Sequence, residues 1–190
     1  MVHDKGRSFS LRVAVASDHG GWQLKQQVVE YLREAGVPCT DLGTYSEEAV
    51  DYPDFAVLVA EGVRRGEYDR GILCCGTGIG VCIAANKVPG VRAALCHDTY
   101  SARMSREHND ANVLTMGQRV IGSGLAREIV RVWLATEFAG GRHACRVDKI
   151  RAIEARYAGP GAGGACEAPA CDREPNKGGS QRGGGRGLAG

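Results

Sequence analysis

The sequence predicts an α/β fold: one domain on a five-stranded parallel sheet, with helices on both faces and an extra C-terminal helix. Three observations predict it. Short apolar runs alternate five times with segments of helical period, and the residues after the runs are polar and glycine-rich. The 190 residues also fit a single core on the usual scale of roughly 100 to 200 residues per domain. Strands alternating with helices of this length form a parallel sheet covered on both sides.

The first strand is the run RVAVAS at 12–17, which ends in Asp18-His19-Gly20-Gly21. Leu24, Val28, Tyr31, Leu32 and Ala35 then recur at helical spacing before Gly36, a stop signal. The alternation continues with strand 38–42 and helix 54–65, strand 70–75 and helix 80–87, strand 91–96 and helix 99–107. A fifth strand, 112–116, precedes helix 123–136, on which Leu125, Ile129, Val132 and Trp133 share a face. The last helix, about 146–157, carries Val147, Ile150, Ile153 and Tyr157 on one stripe. With no sixth strand to cover, that stripe is expected to pack against a partner subunit.

Composition narrows the function. Hydrophobic residues at 43% and charged residues at 24% are ordinary for a globular chain, and no apolar run reaches the roughly 20 residues of a membrane-spanning helix. The net charge of +2 comes from 24 basic and 22 acidic side chains that are interspersed, so neither nucleic acid nor a membrane is an expected partner. The first ten residues carry no secretory pattern, and a cytoplasmic location is expected. Six of the eight cysteines, Cys39, Cys74, Cys75, Cys82, Cys96 and Cys145, lie in or beside regular segments and read as buried thiols. No C-x-x-C pair occurs, so no structural metal is expected. The 28 glycines, about twice average usage, concentrate in residues 159–190, where Leu188 is the only large apolar side chain. Such a segment cannot bury enough surface to offset its ordering entropy, so 1–10 is read as a flexible N-terminus, 11–158 as the domain and 159–190 as a disordered tail.

In an open parallel sheet a ligand sits beyond the carboxyl ends of the strands. There the sequence has Asp18-His19-Gly20-Gly21, Cys75-Gly76-Thr77-Gly78-Ile79-Gly80 and His97-Asp98, which are expected to converge on one cleft. The glycine loop can turn its backbone N–H groups to an anion. It lacks the Lys-Ser/Thr ending of a nucleotide P-loop, and Val81 takes the third-glycine position of the dinucleotide fingerprint. Taken alone, it fits a turn needed only for packing as well as an anion site. Cys75 is the last strand residue before the loop, where a helix N-terminus favours a thiol base or nucleophile, and Cys74 points to the other sheet face. Core packing is the commoner meaning of a lone cysteine and is the reading for Cys74, Cys82 and Cys96. His108, in Ser105-Arg106-Glu107-His108-Asn109-Asp110, offers proton transfer near neutral pH or simply ends a solvated helix. Arg142 and Arg146, at i and i+4, share a face if the last helix begins there, and two guanidinium groups can hold a phosphate or form a surface cluster.

Taken together, Asp18-His19-Gly20-Gly21, Asp51-Tyr52-Pro53, the 75–80 loop, Ala84-Ala85-Asn86-Lys87, Arg106 to Asp110, Gly117-Gln118-Arg119 and Gly141-Arg142-His143 resemble the type B ribose-5-phosphate isomerase family. The family also contains galactose-6-phosphate isomerase subunits, and the resemblance spans residues 11–157. It implies a flavodoxin-like or Rossmann-like subunit that works as a homodimer or a dimer of dimers with shared sites. It also implies an aldose–ketose isomerase of the pentose phosphate pathway, acting through an enediolate without a metal or other cofactor. Cys75 matches the base that moves the proton between C1 and C2. Another branch uses a glutamate where this chain has Val81, so the chain resembles the cysteine type. Thr77 matches the group that assists proton movement between the oxygens, and the N–H groups of Gly76, Thr77, Gly78, Ile79 and Gly80 match the enediolate hole. His108 matches the ring-opening acid and Asn109 a sugar contact. Asp18, His19, Arg119, Arg142 and Arg146 match substrate-binding positions, the arginines chiefly for phosphate. His97 lies outside the shared motifs. Two rival readings remain, an isomerase of another sugar phosphate (galactose or allose 6-phosphate, or a tetrose phosphate) and a nonenzymatic phosphosugar-binding module. Cys75, Thr77 and His108 together argue against the module, since binding alone needs no thiol base.

Overall fold

A computed structural model describes residues 11–157. The chain runs β1 (Val13–Ser17), α1 (Trp22–Glu34), β2 (Cys39–Asp41), α2 (Tyr52–Arg64), β3 (Arg70–Cys75), α3 (Ile79–Ala85), β4 (Ala93–Leu95), α4 (Thr99–Asn109), β5 (Val113–Gly117), α5 (Ser123–Ala135) and α6 (Arg142–Tyr157). The five strands form one parallel sheet in the order β2-β1-β3-β5-β4. This is the expected α/β domain. The expected boundaries at 1–10 and 159–190 fall outside the described residues.

Alternation along the central strands explains the two-sided core, because successive strand residues face opposite ways. Val13, Val15, Ile72, Cys74, Leu114 and Met116 pack toward α1, α4 and α5, with Leu32, Ile129 and the fully buried Trp133. Ala14, Ala16, Leu73 and Cys75 pack on the other side, with Val59 of α2 and Val81 and Ala85 of α3. The small Ala14 and Ala16 let α2 approach the sheet.

Several element edges differ from the sequence expectation. Helix α2 starts at Tyr52 instead of 54, because Pro53 is tolerated in a first turn that needs no N–H from it. Strand β4 keeps only Ala93–Leu95 of the expected 91–96, since it pairs with β5 alone at the sheet edge. On α5 the buried residues are Ala126, Ile129, Val130 and Trp133, whereas Leu125 is exposed and Val132 half-buried, so the core stripe lies one position further along. Helix α6 begins at Arg142 instead of 146, directly after Gly140 and Gly141, both at positive φ (63° and 53°). Val147 is buried where α6 packs on α4, while Ile150, Ile153 and Tyr157 stay exposed. The thiol expectation is also corrected. Cys74, Cys75 and Cys96 are buried free thiols and Cys39 and Cys82 half-buried ones, but Cys145, on a half-exposed turn of α6 away from the sheet, is disulfide-bonded.

Candidate active site

Three strand ends meet at the carboxyl edge of the sheet. Cys75 closes β3 in register with Gly117 of β5, and Ser17 of β1 is in register with Cys74. The turn after β1 lies against the loop after β3: a Cβ on Gly21 would fall 2.4 Å from the Cys74 carbonyl carbon, and one on Gly20 would fall 3.2 Å from Gly76 N. Only glycine permits the first approach. On the other side Gln118 N–H donates to the Cys75 carbonyl (2.9 Å) and Arg119 N–H to the Gly76 carbonyl (3.0 Å). The Arg119 guanidinium lies over Gly76, and the Tyr52 ring lies over Gly80.

Within this frame the Cys75 sulfur accepts the Gly78 N–H at 3.0 Å. Gly78 holds φ at +77°, and a Cβ there would lie 2.5 Å from Leu95 Cδ1 and 2.8 Å from the Met116 carbonyl carbon, so the loop conformation depends on this glycine. Thr77 Oγ1 accepts the Ile79 N–H at 3.4 Å. Cys74 is fully buried on the opposite face, and burial pushes its thiol far up. Asp18 is buried, and its Oδ1 has no hydrogen-bond partner. Burial raises its carboxyl above the ordinary range, opposed by His19, the Gly21 and Gly20 N–H groups and Arg119. His19 Nδ1 accepts the Val50 N–H at 3.2 Å. Asp18, His19, Cys75, Gly76, Thr77, Gly78, Ile79, Gly80 and Arg119 therefore belong to one cleft edge.

His108, Asn109, Arg142 and Arg146 do not. Helix α4 runs back from the carboxyl edge, and its last turn lies beside the starts of β3 and β5: the Arg92 guanidinium donates to the Asn109 and Asp110 carbonyls, and Asn112 O accepts the Gly71 N–H. Gly71 and Cys75 are separated by about 13 Å of strand at 3.3 Å per residue. At that far edge His108 stacks on His143 with ring centroids 4.1 Å apart and an interplanar angle of 4°. His143 is held below the ordinary imidazole range, first by burial and then by His108, Arg142 and Arg146, against Glu107. A cavity of about 840 Å³ opens beside β4, lined by Asn109 together with Lys87, Arg92, Ile150, Ile153 and Tyr157. It adjoins this second cluster and not Cys75.

His97, expected near the cleft, has a buried Nε2 without a partner, and Asp98 caps α4 by accepting the Ser101 N–H at 2.7 Å. Sequence reasoning missed Tyr52 as a cover for Gly80, His143 as the stacking partner of His108, and Lys25. The first two were visible as members of quoted motifs; a lysine buried on α1 had no signal. Among the described residues no group of three or more His, Cys, Asp or Glu is arranged to hold a metal ion, and no helix is long and apolar enough to cross a membrane.

Comparison with known proteins gives this arrangement its family. Residues 13–150 match the model of the Ribose/Galactose Isomerase family. Ribose-5-phosphate isomerase B of Escherichia coli is 52% identical over 145 residues, covering 76% of this chain and 97% of the relative. The D-erythrulose-4-phosphate isomerase of Pectobacterium atrosepticum is 47% identical over 144 residues, covering 74% and 93%. Among solved structures, ribose-5-phosphate isomerase B of Clostridium thermocellum superposes with a TM-score of 0.77 at 56% identity, covering 78% of this chain and all of that one. With the family's length, motifs and fold all present, the chain belongs to the Ribose/Galactose Isomerase family.

Proposed function

We propose that this sugar-phosphate isomerase interconverts ribose 5-phosphate and ribulose 5-phosphate through an enediolate, with no metal or other cofactor in the chemistry. The observation that carries the reading is the Cys75 sulfur, set 3.0 Å from Gly78 N in a loop bounded by Asp18, His19 and Arg119. As thiolate, Cys75 removes the proton on C2 of the open-chain aldose while O1 gains one. The thiol then returns its proton to C1 as O2 loses one, and Thr77 relays protons between the oxygens. N–H groups of residues 76–80 hold the charge that develops on oxygen.

The two clusters at opposite sheet edges support a site shared between copies of the chain. A pentose phosphate cannot reach both edges of one sheet, so ring opening is assigned to His108 of the partner subunit. Its proton goes to the ring oxygen as the anomeric hydroxyl loses one. Asn109 of the partner subunit contacts the sugar, and the phosphate is held by Arg119 with Arg142 and Arg146 of the partner subunit, guanidinium groups being suited to paired hydrogen bonds. On this reading His108→Ala slows turnover of ribose 5-phosphate much more than that of ribulose 5-phosphate, which is already open-chain. Equal losses in the two directions would remove the ring-opening role.

The relative named for D-erythrulose 4-phosphate favours a second reading, a tetrose phosphate as substrate. Both are tested by kcat/KM for aldose and ketose phosphates of four, five and six carbons, with chelator present. The expected outcome is the highest value for ribose 5-phosphate, unchanged by the chelator. A higher value for the tetrose phosphate overturns the first reading in favour of the second.

A further inference from the structure

Lys25 takes no part in the chemistry above, yet it is completely buried on α1. A buried ammonium is costly unless every proton finds an acceptor, and here all three do: Asp41 Oδ1 and Oδ2 accept at 2.7 Å each, and the Thr44 carbonyl at 2.6 Å. The Tyr45 ring centroid lies 4.9 Å away, and the Tyr45 hydroxyl donates to the Asp41 carbonyl at 2.9 Å. Asp41 Oδ1 also accepts the Gly43 N–H at 2.9 Å. Every partner of the lysine thus belongs to the last residue of β2 or to the segment that follows it.

That segment grips the end of β1 immediately before the cleft. The Ser17 N–H donates to the Gly43 carbonyl at 2.7 Å, and the Ser17 carbonyl accepts the Thr44 N–H at 2.8 Å. Ser17 is followed by Asp18 and His19. A few residues further along the segment, Gln23 of α1 donates to Glu47 at 2.8 Å, and the Val50 N–H donates to His19 Nδ1 at 3.2 Å. A ring nitrogen that accepts from a backbone N–H carries no proton, so the neutral imidazole has its proton on Nε2 and offers it as a donor.

We infer that Lys25 is a positioning residue, which through the 41–50 segment fixes the backbone at Ser17 and the Nε2–H tautomer of His19, so that His19 meets a phosphate or hydroxyl oxygen of the substrate as a hydrogen-bond donor. The inference rests on His19 as a substrate-binding residue. It explains why a charge is retained on the buried face of α1, where Leu24, Val28 and Leu32 would accept an apolar neighbour.

The test combines a measurement free of substrate with kinetics on the full chain. Nitrogen-15 NMR of the histidine rings, with His19→Asn to assign the signal, is expected to show an unprotonated Nδ1 in the wild type and mixed tautomers in Lys25→Met. In kinetics Lys25→Met raises KM about tenfold, the scale of one lost hydrogen bond to a bound oxygen, with kcat changed less than about threefold. Lys25→Met/Asp41→Leu removes the carboxylate left unpaired, regains the wild-type Tm and keeps the raised KM. It also serves for the kinetic comparison if the single variant does not fold. His19→Gln, with an amide donor near the Nε2 position, retains more affinity than His19→Asn. Recovery of KM along with Tm in the double variant, or a protonated Nδ1 in the wild type, overturns the inference. Failure of the wild type on every sugar phosphate overturns the proposed function instead, and the NMR result then decides the role of Lys25.

Discussion

Two adjacent thiols have opposite fates because a strand turns successive side chains to opposite faces. Cys74 sits among Val15, Ile72 and Met116, where burial disfavours its thiolate, and Cys75 meets the Gly78 N–H at the loop. Cys75→Ala is therefore expected to lower kcat by about 10²- to 10⁴-fold, the usual contribution of a positioned base, while Cys74→Ala keeps most of the activity. Steady-state assays and site-resolved alkylation check the pair; similar losses in the two variants would exclude Cys75 as the base. Histidine and aspartate give pH signatures of opposite sign. The folded protein holds His143 below its ordinary value of 6.5, so its contribution to stability is present above that value and is lost as pH falls through the depressed one. Melting temperature should fall on acidification below 6.5, and His143→Phe should flatten that limb. Asp18 is raised from 3.8, so its stabilising protonated form is lost as pH rises through the folded value, and the ionised carboxylate costs stability at neutral pH. Asp18→Asn is expected to raise Tm at pH 7, to make no difference below pH 3.8 and to reduce turnover.

At the scale of elements, the 75–80 loop shows which glycines the backbone requires. Gly78→Ala combines positive φ with contacts of 2.5 and 2.8 Å and is expected to cost about 1–3 kcal/mol in denaturant titration along with most activity. Gly76→Ala meets only the Arg119 side chain at 3.5 Å, an ordinary contact, and should fold with near-native stability. An equal loss in both variants would mean that the loop is limited by something other than these contacts. The sequence made the strands legible because buried parallel strands read as short apolar runs, and it located the loops because Asp-His-Gly-Gly and the 75–80 glycines interrupt those runs. Element ends were less legible: Pro53 hides inside the first turn of α2, and the start of α6 depends on packing against α4. Buried charges were illegible. Lys25 lies inside α1 with its acceptors on the last residue of β2 and the loop after it, and Arg106, almost fully buried, pairs with Asp110 at 2.8 Å, donates to the Ala111 carbonyl at 2.7 Å and lies over the Trp133 ring. Only the folded chain brings Lys25 to Asp41 and Thr44 or Arg106 to Trp133, whereas Arg106 and Asp110 are one helical turn apart in the sequence.

For the whole molecule, the separation of His108 from Cys75 predicts complementation between inactive chains. In a mixed dimer of Cys75→Ala and His108→Ala, one shared site is doubly damaged and the other is intact. Random reassortment of equal amounts makes half the dimers mixed, so mixing is expected to restore about a quarter of wild-type activity on ribose 5-phosphate. No gain above the separate variants after subunit exchange would show that each chain completes its own site. If the site is shared as proposed, the same division across about 13 Å of strand would make turnover a mass-action property. Each chain can keep its sheet, both halves of its core and its hydrogen-bonded loop and still be catalytically silent, so specific activity should decline with dilution while the circular dichroism per chain stays constant.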